Sequence, residues 1–171
     1  MPSMFLTHPD FKEKYIDFYQ EWKESGEEMI PFVIKKEPDN FQAMLNYLSD
    51  CEKGLEPPES WIPESSTYWL VDSHELIGVV NIRHRLTEPL VNAGGHIGSS
   101  IRPSKRKQGY ATQILSLALE KARELELEKV LLVCNSTNTA SKKVIVNNGG
   151  VSDWDYVDER NVLKRFWIKL T

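Results

Sequence analysis

The segment His96–Leu119, HIGSSIRPSKRKQGYATQILSLAL, changes character twice along its length. Its opening, His96–Ile101, predicts a β-strand. Arg102–Gln108 (RPSKRKQ) predicts a basic turn, and a helix follows from about Gly109. Within that helix Ala111, Ile114, Leu115, Ala118, Ala122 and Leu125 fall on one stripe, so it should dock on a flat apolar surface, a sheet. The first-turn amides of a helix have no internal partners, and the helix dipole places partial positive charge there. Gly109 lets a ligand come close to the backbone, and Lys105, Arg106 and Lys107 lie just before it. A strand, a basic turn and a glycine-opened helix make a natural anion site. Charge-assisted hydrogen bonds, worth roughly 1.5–3 kcal/mol each, outweigh exposed ion pairs at about 0–1 kcal/mol. The amides rather than the basic side chains should therefore do most of the holding. Spacing alone leaves open the plainer reading, a helix start with solvated charges.

The motifs decide between these. Arg106-Lys107-Gln108-Gly109-Tyr110-Ala111 resembles the R/Q-x-x-G-x-G/A signature of the GNAT superfamily, the acetyl-CoA-dependent N-acyltransferases. As in that family, it follows a strand ending Ile101-Arg102-Pro103 and opens an amphipathic helix. Further on, Asn138-Thr139-Ala140-Ser141 resembles the N-x-x-S/A opening of the family's next helix, and Asn147-Asn148-Gly149 is similar to its N-G-F close. The resemblance runs in order over residues 67–170 and is strongest over 95–149.

The chain is otherwise ordinary. Its 171 residues suit one domain, residues 1–171, large enough for a full core. A net charge of −4 argues against a nucleic-acid partner, so the basic run at 102–107 is a local island suited to a small anion. Two cysteines, Cys51 and Cys134, give no disulfide framework and suit a reducing, cytoplasmic setting. No leader pattern and no membrane-spanning apolar run is seen, so no membrane partner is expected.

Taken in order, Asp10–Ser25 predicts a helix with Phe11, Tyr15, Phe18, Tyr19 and Trp22 on its core face, between Pro9 and Gly26. A connector follows, with a short extended stretch at Pro31–Ile34. Asp39–Cys51 predicts a second helix carrying Phe41, Met44, Leu45 and Leu48 inward. Lys53–Ser66 is proline- and glutamate-rich with Trp61, a loop that could shape the acceptor side and suit a cationic amine, or simply be solvated. Thr67–Val71 and Leu76–Arg83 read as a hairpin, and Lys129–Cys134 as a buried strand. Asn138–Asn148 reads as a short capped helix. Val151–Val157 and Val162–Leu170 read as a closing hairpin, with Val162, Phe166, Ile168 and Leu170 on one face. The order predicts an α+β fold with a mixed, mostly antiparallel sheet and helices packed on it, the unit at 96–134 supplying the parallel pair.

The resemblance implies more than the pattern shows. In the GNAT fold the strands at 96–101 and 129–134 splay apart, and the pantetheine arm of acetyl-CoA enters the gap. Its pyrophosphate would sit on the amides of residues 107 to 112 (Lys107, Gln108, Gly109, Tyr110, Ala111, Thr112), with Arg106 nearby. Pantetheine would pair with backbone around Ser100, Ile101 and Arg102, while Asn138 would contact it from the other side with support from Ser141. Asn138 read by itself is only a helix cap.

Acyl transfer needs a neutral amine, and a lysine-like amine lies about 3.4 units from neutrality at pH 7, roughly 4–5 kcal/mol. A base is therefore worth locating. His96 stands where many relatives carry Glu and is the candidate general base, with a strand-start histidine bound to backbone as the alternative. His84, Arg85 and Glu88 are weaker candidates, and His8 and His74 read as surface residues. The family's usual tyrosine acid is Ile145 here, and Gly150 replaces a phenylalanine, so no general acid is assigned. Cys134 is read as a small hydrophobe rather than a nucleophile. No metal-ligand spacing is seen. The expected activity is transfer of an acetyl group from acetyl-CoA to a primary amine of a small molecule or peptide, by direct attack in a ternary complex. The alternative is a CoA-binding module without turnover. Exposed C-terminal strands could pair two chains as a homodimer.

Overall fold

The computed structural model describes residues 1–55 and 60–171. Four strands, β1 (Ser3–Leu6), β2 (Ser65–Asp72), β3 (Glu75–Arg83) and β4 (Ile97–Ile101), form one antiparallel sheet in that order. A second sheet is built from β5 (Lys129–Asn135), β8 (Val162–Lys169) and β6 (Val151–Ser152), with β7 (Tyr156–Val157) also on β8. The helices are α1 (Lys12–Ser25), α2 (Phe41–Glu52), α3 (Tyr110–Glu124) and α4 (Thr139–Asn147).

The apolar stripes select the faces. Ile114, Leu115, Ala118 and Ala122 of α3 are buried against Tyr68, Leu70, Val80 and Ile82 of the first sheet and Val130, Leu132, Phe166 and Ile168 of the second. One helix thus spans both sheets. Ala111, expected on that stripe, lies in the helix's first turn and is exposed. On the opposite face, Tyr15, Phe18, Tyr19 and Trp22 of α1 and Phe41, Met44, Leu45 and Leu48 of α2 enclose Trp69, Leu76 and Val79. Tyr15 stacks on Trp69 with ring centroids 4.9 Å apart. The aromatic stripe of α1 is core, as its spacing predicts.

Several local expectations are corrected. Residues Phe32–Ile34 form a 3-10 turn rather than an extended stretch, and Val33 and Ile34 point into the α1–α2 core. Ser3–Leu6, unassigned in the sequence, pairs with β2 as an edge strand. Residues 87–95 include a π-helical turn, Leu90–Gly94. The closing hairpin is broken: β6 pairs with Phe166 and Trp167, while β7 pairs at Val162 and Leu163. Val162 shares the parity of Phe166 and Ile168 but lies past the core, 38% exposed. Of the proline-rich loop, residues 56–59 lie outside the described residues; Ile62 and Pro63 are buried and Trp61 is exposed.

Candidate active site

β4 and β5, the anticipated parallel neighbours, share no ladder: every pairing among the described residues is antiparallel. They touch at a vertex. The His96 amide donates to the Leu131 carbonyl (2.7 Å), and the Leu131 amide donates to His96 Nδ1 (2.9 Å). Gly95 sits at φ +68°, and a Cβ there would overlap the Leu131 carbonyl, so glycine is what lets the chain approach β5. Past the vertex, Ile97–Ile101 pairs with β3 and Leu132–Asn135 with β8, leaving a gap between the sheets floored by α3.

Antiparallel alternation settles which groups face this gap. The Arg102 amide donates to Ile77 and the Arg83 amide to the His96 carbonyl, so the even-numbered residues of β4 turn their backbone toward β3. The N–H and C=O groups of Ile97, Ser99 and Ile101 therefore point into the gap. Of the three residues expected to pair with pantetheine, Ile101 is placed to do so, while the backbones of Ser100 and Arg102 are directed to β3. Among the described residues the buried Ser100 hydroxyl has no partner.

The Arg102 side chain is committed elsewhere. It is 5% exposed; its Nε donates to Glu21 (3.0 Å), Nη1 to the Leu76 carbonyl (3.2 Å) and Nη2 to Asp17 (2.8 Å). Glu21 also accepts from the Ser104 amide and hydroxyl at 2.7 and 2.8 Å. Burial works to raise the Glu21 pKa, but these donors pull it below the usual carboxylate range. This cluster fixes the turn after β4 to α1.

That turn delivers the helix mouth. Gly109 caps α3 at φ +85°, where a Cβ would meet nothing within 4 Å, and Lys107 is also left-handed at +61°. The first intrahelical bond here is from Gln113 to Gly109, so the Tyr110, Ala111 and Thr112 amides have no acceptor inside the helix. Two of the three flanking cations are already paired: Lys105 with Glu75 (3.2 Å), and Arg106 with both oxygens of Glu27 (3.0 and 3.1 Å), its guanidinium 5.3 Å from the Trp22 ring centroid. Lys107 is exposed, with no acidic partner among the described residues. Tyr110 donates to Asp72 (2.7 Å), turning its side chain to the β2–β3 hairpin. Across the gap, Asn138 Oδ1 caps α4 by accepting the Ser141 amide (3.1 Å).

The electrostatics at the vertex bear on catalysis. His96 is 6% exposed, and burial, reinforced by the nearby Arg83 charge, pushes its pKa down to about 4. With Nδ1 accepting from Leu131, the neutral ring carries its proton on Nε2 and can only donate there. This geometry disfavours the general-base role expected of His96, because the one lone pair able to take a proton is already spent. Cys134 is half-buried, and burial raises its thiol pKa despite Lys142 nearby, so a thiolate is disfavoured. Ile145, at the sequence position of the family's tyrosine, is buried in the core, and a Cβ on Gly150 would lie 2.5 Å from its Cγ2, so the two departures from the family pattern fit each other.

The weaker candidates have other partners. His84 Nε2 and the Ser66 hydroxyl are 2.8 Å apart, Arg85 pairs with Glu64 (3.2 Å), and Glu88 is exposed, as are His8 and His74. Glu88, Asn92 and Tyr156 share a shallow concavity of about 320 Å³; another of about 330 Å³ lies between Leu6 and Gln42. Neither includes His96, Gly98 or Gly109. Among the described residues no acidic, histidine or cysteine cluster could hold a metal, and no helix is long and apolar enough to cross a membrane.

One feature of the site escaped the sequence reading. Arg83, 9% exposed, lies on the α1–α2 side of the sheet with its guanidinium over Gly98. The signal was present: Asn81 and Arg83 interrupt an otherwise apolar strand at a period of two.

Comparison with known proteins shows the family and the fold. Residues 6–151 match the family model described as the acetyltransferase (GNAT) domain. No curated protein matches the chain significantly in sequence. Among solved structures, the ribosomal-protein-S5-alanine acetyltransferase of Vibrio fischeri superposes with TM-score 0.69 at 15% identity, covering 98% of this chain and 92% of that one. A chimera of the Vibrio cholerae spermidine N-acetyltransferase and hSSAT gives 0.68 at 14% identity, covering 99% and 96%. The Salmonella typhimurium protein yncA, solved with its cofactor acetyl-CoA, gives 0.65 at 11% identity, covering 99% and 94%.

Proposed function

Within the GNAT acetyltransferase family, to which this chain belongs, we propose that it transfers an acetyl group from acetyl-CoA to a primary amine by direct attack in a ternary complex. The carrying observation is the pair of parted strands beside an open helix mouth: unpaired amides at Tyr110–Thr112 and an open Gly109 fit a diphosphate, and the gap-facing edge of β4 fits an amide-bearing arm. Acetyl-CoA supplies the activated thioester. Ser99 and Ile101 would hold the arm through their backbone, Asn138 and Ser141 would meet it from α4, and Lys107 with Gln108 would flank the pyrophosphate. Arg106 would join them only on leaving Glu27.

The chain's contribution to the chemistry is positional. His96 keeps the vertex at a fixed width, and as a neutral ring with Nδ1 occupied it offers only an Nε2–H donor rather than accepting the amine's proton. Deprotonation then falls to water or to the acceptor's own equilibrium, and with Ile145 in place of tyrosine the departing thiolate is protonated by solvent. Modest turnover that rises with pH as the acceptor amine loses its proton is the expected result. The test is release of CoA from acetyl-CoA across a broad amine panel; CoA binding without release above background would leave a binding module instead.

A further inference from the structure

Arg83 is a buried cation in want of an anion. It is 9% exposed, and among the described residues its guanidinium has neither a carboxylate nor a hydrogen-bond acceptor. Its pKa is lowered only to about 10, by burial, so it stays charged at neutral pH. Its nitrogens are not among the fully buried unpartnered atoms, so they keep a narrow contact with solvent; a largely desolvated charge held without a counter-ion is costly, and an anion arriving by that opening recovers part of the cost.

Its position says what the anion belongs to. The guanidinium crosses from β3 over β4: a Cβ at Gly98 would lie 3.1 and 3.2 Å from its two Nη atoms and 3.2 Å from Pro31. It therefore sits beside the gap near the His96 vertex, on the side away from α3. The diphosphate-binding mouth follows the other end of β4, so the anion in question is not that of CoA. By register Ser65 stands opposite Arg83, Asn81 opposite Gly98, and Ser100 two residues further along β4, all on the same face. Among the described residues Ser65 Oγ, Asn81 Oδ1 and Ser100 Oγ are buried without partners. Along β3 this face thus passes from the apolar Leu76 and Val79, under α1 and α2, to a polar strip at the vertex.

We propose that Arg83 is a specificity-determining residue of the acceptor site, and that the acceptor is a small amine bearing an oxyanion, a carboxylate in the first instance, which the guanidinium engages in its planar two-pronged geometry. The inference rests on the acetyltransfer reading for the amine but not for the anion. It favours amino-carboxylates over polyamines, whose second cation would face Arg83, and it replaces the cationic acceptor anticipated from the glutamate-rich loop.

The experiment uses matched pairs, an amino acid and the amine or amide lacking its free carboxylate, with spermidine as the opposite extreme and an aminoalkyl phosphate to separate carboxylate from phosphate. Binding to the CoA-saturated protein is measured by calorimetry, and acetyl transfer in parallel. The expected result is at least tenfold tighter binding of the carboxylate member. In the Arg83→Met protein that preference collapses, in Arg83→Lys it is partly kept, and CoA affinity is unchanged in both. Preference for the phosphate would keep the oxyanion assignment and correct its carboxylate form. Equal binding of both pair members to the wild-type protein, or tighter binding of spermidine, overturns the proposal even if neither variant folds. Anion-selective binding without turnover would retain Arg83's role while removing the transferase reading.

Discussion

His96 and Leu131 are joined by a reciprocal pair of hydrogen bonds, amide to carbonyl at 2.7 Å and amide to imidazole Nδ1 at 2.9 Å, and this pair is where two separate sheets become one site. The imidazole serves as a backbone acceptor, a role that requires it to be neutral.

A pH dependence follows. Burial first, and Arg83 second, lower the folded-state pKa of His96 to about 4 from an ordinary value of 6.5. Between those values the unfolded chain binds the extra proton and the folded one does not. Stability is therefore fully present above pH 6.5 and falls as pH drops toward 4, by roughly 3 kcal/mol if the whole shift is expressed. Urea denaturation across that window should show the loss, and His96→Asn, which can offer an amide oxygen near the Nδ1 position, should flatten it. A wild-type stability that is level from pH 6.5 to 4 would contradict the neutral clamp.

The helix mouth carries its own competitor. Glu27 binds Arg106 with both oxygens, holding that cation from a phosphate. Glu27→Gln should therefore raise CoA affinity by about three- to tenfold at low salt, with the gain fading as ionic strength rises. Lys107→Ala should lower affinity by a similar factor. Calorimetric titration with CoA reads both, and a loss of affinity in Glu27→Gln would show that Arg106 acts only as part of the pair.

Ile145 and Gly150 should prove coupled. Gly150→Ala places its methyl 2.5 Å from Ile145 Cγ2 and 2.9 Å from the Ile145 carbonyl, an overpacking expected to cost about 1–3 kcal/mol. Ile145→Ala removes a buried side chain at about 2–5 kcal/mol. The double variant should lose less than the sum, by about 0.5–3 kcal/mol, since the clashing methyl is gone. A double-mutant cycle by chemical denaturation that came out additive would mean the two departures from the family pattern are independent.

How much of this could be read from residues alone depended on range. The α3 stripe, the aromatic face of α1, the Gly109 opening and the Asn138 cap are local patterns with a fixed period or offset, and the helices lie within a few residues of where these place them. The family resemblance supplied the splay between β4 and β5, which no periodicity encodes. What escaped were pairings between residues about eighty positions apart. Asp17 and Glu21 make the Arg102 side chain a strut for the turn, and Glu27 does the same to Arg106, the cation expected beside the pyrophosphate. For His96 the sequence left two readings open, a general base and a histidine bound to backbone; its partner Leu131 lies 35 positions away across the gap, and the bond between them favours the second. Ser3–Leu6 escaped for another reason: short, with Phe5 and Leu6 exposed, it forms only against β2.

Hydrogen exchange of backbone amides, with and without CoA, tests the central claim most directly. Binding should slow exchange at Ser99 and Ile101, whose amides face the gap, and at Lys107–Thr112, while Ser100 and Arg102, already bonded toward β3, should change little. Protection confined to other segments, or tight CoA binding that leaves the β4 edge and the first turn of α3 unaltered, would contradict the account.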